Sequence, residues 1–168
     1  MKKLIVLLLF CLILAGCSTQ KDPTGTSLSI PTTAPTTSTP FVMPSGPITF
    51  FVYTPNEAYD GFTACEVTIS ELNAHDVLAT LFAGEVLLDD VAVNYARING
   101  NCLELDMNQA FYTQLTSMGT TGEKMLVGSL VNTFLSAYGT ETVMLTVDRQ
   151  IIDSGHIVYG EPLGYFEY

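Results

Sequence analysis

The prolines of this 168-residue chain divide it in two. Six of the eight lie between residues 18 and 47, with Thr and Ser filling most of the intervals. From Ile48 onward the chain turns to β-branched and aromatic residues, which continue to Tyr168. A stretch such as Thr32-Thr33-Ala34-Pro35-Thr36-Thr37 cannot bury enough apolar surface to offset the entropy of ordering it. Residues 17–47 are therefore expected to form a disordered stalk, reaching roughly 30 Å as a flexible coil and at most about 90 Å as extended polyproline II. Folding is left to residues 48–168. That is about 120 residues, enough for one domain with a real core and too few for two.

Ahead of the stalk, Lys2-Lys3 precede an apolar run from Leu4 to Leu14. The run is too short to span a bilayer and reads as a secretory signal over residues 1–16. It ends in Leu14-Ala15-Gly16-Cys17, which resembles a bacterial lipobox. The resemblance implies removal of everything before Cys17, lipid attachment at its thiol, and tethering of the mature chain to the outer face of a membrane.

Charge narrows the choice of partners. Four basic residues after Cys17 (Lys21, Arg97, Lys124, Arg149) face 17 acidic ones, a formal net charge of −13. Such a surface is repelled by nucleic acid, so no nucleic-acid partner is expected. Two cysteines remain in the domain, in a location that permits a disulfide. Cys65 alternates with Glu66 and Thr68 and is expected to face the core. Cys102 shares a strand face with Glu104 and Asp106, opposite Leu103 and Leu105. Cysteines on opposite faces do not meet the distance limits of a bond, and none is expected.

The patterning predicts strands over Ile48–Tyr53 and Phe62–Ile69. A helix follows Asn73 as N-cap, with Ala74, Val77, Leu78, Leu81 and Phe82 on one face and Gly84 as its C-terminal cap. Strands Val93–Ile98 and Cys102–Asp106 are joined at Asn99-Gly100, a strong hairpin signal. A short helical turn spans Gln109–Leu115, and a long helix Glu123–Tyr138 ends at Gly139. Its apolar stripe is wide enough to require burial on more than one side. Strands Val143–Val147 and Gln150–Asp153 flank a tight turn at Asp148-Arg149. The order β-β-α-β-β-α-β-β gives an α+β fold with an antiparallel or mixed sheet packed against two helices.

Little in this pattern is catalytic, and no catalytic residue, metal ligand or cofactor is expected. His75 falls on a solvent-facing helix position. Asp153, Ser154 and His156 are sequence neighbours, which seldom converge as a triad, and no nucleophile-elbow pattern accompanies them. Asp89-Asp90 lack the alternating ligands and turn glycine of a calcium loop, and the cysteines lack CxxC partners. Glu104 and Asp106 read as the wet side of a strand. Asp106 is expected to cap the turn that follows it, and Asn132 and Thr133, in an apolar helix, need hydrogen-bond partners if buried.

Leu126-Val127-Gly128-Ser129-Leu130-Val131-Asn132-Thr133-Phe134, then Val143-Met144-Leu145-Thr146-Val147-Asp148, His156-Ile157 and Pro162-Leu163, together resemble the GerMN domain of sporulation and spore germination. Leu103 to Phe111 and Val77 to Gly84 are similar to that family's central strand and turn and to its first helix. The likeness runs through nearly all of residues 48–168. Arg149 stands where the family usually has glycine, the family's proline loop after the first helix is absent from Leu87 to Val93, and one copy is present rather than a tandem pair. The resemblance implies a non-catalytic envelope lipoprotein connected with sporulation, germination or cell-wall assembly, on the extracytoplasmic face of a Gram-positive cell membrane. It supplies no catalytic residues.

Two function classes follow. One is an interaction module that docks an envelope protein through a sheet edge or the aromatic tail. The other binds peptidoglycan glycan or a small ligand, with Tyr and Phe stacking on sugar faces. Among the tail rings, Tyr165 and Tyr168 are the expected partner contacts, whereas Tyr159 and Phe166 suit the core.

Overall fold

The computed structural model describes residues 45–167. The signal, Cys17, nearly all of the stalk and Tyr168 lie outside the described residues. The elements run β1 (Ile48–Pro55), β2 (Phe62–Ile69), α1 (Ala74–Ala83), β3 (Val93–Asn99), β4 (Cys102–Met107), α2 (Gln109–Thr116), α3 (Thr120–Tyr138), β5 (Thr142–Val147), β6 (Gln150–Asp153) and β7 (Val158–Tyr159). The α+β class and the strand–helix order agree with the patterning. The strands separate into two sheets, a β1-β2 hairpin and a five-stranded sheet of order β3-β4-β5-β6-β7. The larger sheet is mixed, because β4 and β5 pair in parallel across a connection that contains α2 and α3.

Helix α3 organises the domain. Thirteen of its 19 residues are buried, so it is covered on more than one side, as its wide stripe requires. Phe50 and Val52 of β1 reach it from the hairpin, and Leu105, Val143 and Leu145 share its core from the larger sheet. Its polar residues act as clamps. Thr133 Oγ1 accepts the N–H of Tyr53 at 2.9 Å, and Ser136 Oγ accepts that of Phe51 at 2.9 Å. Asn132 donates from Nδ2 to the Phe166 carbonyl (3.0 Å) and accepts the Phe166 N–H at Oδ1 (2.8 Å), which fixes the C-terminal tail against the helix. Asn132 and Thr133 are thus both buried and both satisfied. Gly128 is where the rings of Phe62 and Phe166 rest on the helix, in space that a Cβ would occupy.

Local chemistry sets the element ends. Asn73 caps α1 by accepting the Asp76 N–H at 2.8 Å, and Asn108 caps α2 from Phe111 N. Gly139 takes the left-handed φ of 64° that ends α3. Gly84 ends α1 for a different reason. Its φ is ordinary, but an added Cβ would lie 2.9 Å from Thr54 Cγ2, and the left-handed residue is the next one, Glu85. At the β3–β4 hairpin the loop residues are Gly100-Asn101, with only Gly100 at positive φ. Glycine at the first central position suits a type II′ turn.

Three expectations need correction. Cys65 is exposed. Its phase is right, since it pairs with buried Val52, but the core that covers β1 there does not reach across to the edge strand β2, which is exposed from Thr63 to Glu66. Asp106 is buried although it shares the outer face of β4, because Asn94, Thr146 and Arg149 cover it. Nor does Asp106 cap the turn that follows it. It accepts the N–H of Arg149 at 2.7 Å in the β5–β6 turn, where both Asp148 (φ 47°) and Arg149 (φ 64°) are left-handed. Positive φ at both central residues makes that a type I′ turn, and the Asp106 bond helps hold Arg149 in a conformation that favours glycine.

Candidate partner-binding face

Alternation along β1 sends Phe50 and Val52 into the core and leaves Phe51 and Tyr53 on the opposite face. Register pairs Phe51 with Glu66, Tyr53 with Ala64 and Thr49 with Thr68, and the last pair is joined hydroxyl to hydroxyl at 2.8 Å. These six side chains share the hairpin's outer face. Phe51 is 45% exposed. The tail extends this face. With Phe166 held by Asn132, the neighbouring Tyr165 sets its ring edge-on to Tyr53, centroids 6.1 Å apart at 64°. Tyr165 remains 48% exposed. Burial of its inner part and the Tyr53 phenol beside it raise its pKa, against a hydrogen bond with Ser136. Ser136 therefore joins Tyr165 to the Phe51 amide. Phe51, Tyr53 and Tyr165 thus lie on one face as an aromatic strip, with Glu66 opposite Phe51.

Of the two tyrosines expected as partner contacts, Tyr165 lies on this strip and Tyr168 lies outside the described residues. Tyr159 is buried and Phe166 half-buried against the core. Phe51 and Tyr53 were missed as site residues. Their alternation was legible, but nothing local showed that the tail would return 112 residues later to lie beside them.

A second polar constellation surrounds Glu123, which is fully buried. Its Oε1 accepts from Ser154 Oγ (2.5 Å) and from the Tyr159 hydroxyl (2.9 Å), and its Oε2 lies 3.1 Å from His156 Nδ1. Ser154 and His156 thus meet on the same carboxylate. The geometry is not that of a nucleophile and its base. Ser154 Oγ also accepts the backbone N–H groups of His156 (3.2 Å) and Ile157 (3.0 Å), which closes the turn before β7. Asp153 turns away to bond Gly155 N. The assembly fastens the start of the tail to α3, as Asn132 fastens its end. Glu123 was missed because an acid in the first turn of a helix ordinarily faces solvent and the helix dipole.

His75 is exposed on α1, and Asp89 and Asp90 are exposed in the loop before β3. Among the described residues, no three His, Cys, Asp or Glu side chains group as metal ligands, and no helix is long and apolar enough to cross a membrane. Cys65 and Cys102 are not bonded to one another. A cleft of about 270 Å³ opens between Pro55, Tyr59, Glu85, Val86, Met118 and Met125, slightly below the roughly 300–1,000 Å³ usual for ligand pockets.

No family model matches the chain, and no curated protein matches it. Among solved structures it is similar to a provisionally assigned lipoprotein from Clostridium perfringens. The identity there is 16%, over 75% of this chain and 93% of that one, with a TM-score of 0.44. It is also similar to the tandem GerMN domains of the sporulation protein GerM from Bacillus subtilis. That match has 20% identity over 71% of this chain, and a TM-score of 0.46. The chain spans 45% of the length of that tandem structure.

Proposed function

We propose that this chain is a lipid-anchored envelope protein, tethered at Cys17, whose domain over residues 48–168 is a non-catalytic binding module of the extracytoplasmic face. Its partner is an envelope protein that docks on the aromatic strip. The observation carrying this reading is that Phe51 and Tyr165 stand about half exposed and side by side with Tyr53, held by two hydrogen bonds to Ser136. Rigid aromatic anchors of this kind are enriched at interfaces, where they bury large area at low entropy cost. The motif resemblance to GerMN domains favours a role in sporulation, germination or wall assembly. Peptidoglycan is the rival occupant, since the same rings would stack on sugars.

Two experiments test the reading. Cys17→Ser should release the chain from membranes with loss of its acyl mass; retention on membranes contradicts the anchor. The pair Phe51→Ala and Tyr165→Ala should keep the parental melting temperature within a few degrees and abolish a defined crosslink to an envelope protein. Binding of the parent to purified peptidoglycan, lost in the same variant, would favour the glycan instead.

A further inference from the structure

Each outer edge of the two sheets is a potential template for another strand, and three of the four are blocked among the described residues. The free amides of β1 at Phe51 and Tyr53 are taken by the hydroxyls of Ser136 and Thr133. β3 is interrupted by a bulge between Val93 and Tyr95 and carries Arg97, paired with Glu104. β7 is two residues long. The fourth edge belongs to β2, along which none of these protections is found from Thr63 to Ile69 among the described residues. It is eight residues long, pairs with β1 in unbroken register from Ile48↔Ile69 to Pro55↔Phe62, and contains no proline or basic residue. A long, regular edge of this kind is ordinarily a liability that chains suppress.

The backbone directions follow from β1. Because Phe51 and Tyr53 direct their amides to α3, their partners Glu66 and Ala64 direct their own backbone groups away from β1, as does Thr68 opposite Thr49. Among the described residues, the contact made to these outward groups is the Cys65 thiol, 3.9 Å from the Glu66 carbonyl. Side chains beside this edge differ by face. Ala64, Glu66 and Thr68 lie on the outer face with the aromatic strip, whereas Cys65, Val67 and Ile69 lie on the inner one, with Val67 and Ile69 packed against the core.

We propose that the outer edge of β2 takes up an extended strand of another polypeptide, cationic on the face beside Glu66 and apolar on the face beside Cys65 and Val67. This rests on the binding-module reading and specifies its mode. Charge selects the occupant. The mature chain carries a formal −13, which repels a second copy and attracts a basic strand. Backbone pairing supplies affinity, and the alternating faces supply sequence preference.

The test uses the full chain in detergent with an end-capped octapeptide alternating Lys and Val, titrated calorimetrically. Two control peptides hold the same residues in block order and alternate Glu with Val. The alternating Lys-Val peptide should bind at least about ten-fold more tightly than its block-ordered control, and the Glu-Val peptide should not bind. Ala64→Pro removes an outward N–H without touching the β1–β2 ladder, so it should remove the preference while leaving the melting temperature in place. If Ala64→Pro unfolds, Glu66→Lys replaces it and should weaken Lys-Val binding while permitting Glu-Val binding. Equal affinity for alternating and block-ordered peptides overturns the proposal, because charge alone would then explain binding. So does an unliganded dimer that Ala64→Pro splits, which would give the edge to a second copy. Failure of every peptide, with Phe51- and Tyr165-dependent crosslinking intact, would refute the strand mode and leave the proposed function standing.

Discussion

Gly128→Ala sets two effects of opposite sign against one another. In the interior of a helix, glycine to alanine ordinarily stabilises by about 1 kcal/mol. In α3 the new Cβ would overlap Phe62 Cζ and lie 3.2 Å from both Cβ and Cγ of Phe166. Phe166 cannot withdraw, because both of its backbone polar groups are bonded to Asn132. Phe62 can swing outward, since it begins an edge strand and is half-buried. Re-exposing some 50–100 Å² of its ring costs about 1–2.5 kcal/mol, and the residual crowding at Phe166 adds about 1 kcal/mol. The net expectation is a loss of about 1–2.5 kcal/mol, which lowers a urea midpoint by roughly 1 M at the m-values of domains this size. The chain has no tryptophan and eight tyrosines, so tyrosine fluorescence and far-UV circular dichroism serve as probes. In a Phe62→Ala background the same substitution should cost much less. A Gly128→Ala midpoint at or above the parent's would refute the packing argument, and equal losses in both backgrounds would refute the part assigned to Phe62.

Glu123→Ala removes the buried carboxylate that accepts from both the Ser154 and Tyr159 hydroxyls and opens a cavity, and should cost about 2–4 kcal/mol in chemical denaturation. His156→Ala removes a half-exposed partner of the same carboxylate and should cost less than about 1 kcal/mol; similar losses would contradict the clamp. Arg149→Gly relieves a left-handed side-chain residue and should stabilise by about 0.5–1 kcal/mol, read as a rise in melting temperature. Burial pushes the Asp106 carboxyl up, but bonds from Thr146, Asn94 and the Arg149 N–H outweigh it and hold the pKa below the usual value. Its contribution is therefore fully present above the ordinary carboxylate range and fades as pH falls through the lowered folded pKa. Asp106→Asn should remove that share of the acid-side slope in unfolding measured from pH 6 down to 2, and an unchanged slope would count against it.

Local pattern carried the elements well. Alternation placed β2 over Phe62–Ile69 and β6 over Gln150–Asp153, and the Asn73 cap and the left-handed Gly139 sit where their chemistry asked. Asn132 and Thr133 could be picked out because a buried amide or hydroxyl needs a partner. Which partner was not legible, since Phe166 and Tyr53 are 34 and 80 residues distant. The division into two sheets was hidden for the same reason. Periodicity gives a strand's faces but not its neighbours, and the parallel pairing of β4 with β5 depends on the path of the intervening helices. Cys65 shows the complementary limit, because a correct phase does not reveal where along a strand the core ends. The proposed binding face was half legible. Tyr165 stood out as a ring in excess of what a tail needs, but its conjunction with Phe51 and Tyr53 exists only once α3 has drawn hairpin and tail together.

The central claim is that the aromatic strip is the surface by which this domain holds its envelope partner. Placing a photo-crosslinking phenylalanine analogue at position 51, and at the still more exposed Ile151 (58%) of β6 as a control, tests it in intact cells. The account predicts a discrete protein adduct from position 51, diminished by Tyr165→Ala, and none from position 151. A discrete adduct from position 151 with none from position 51 would contradict it.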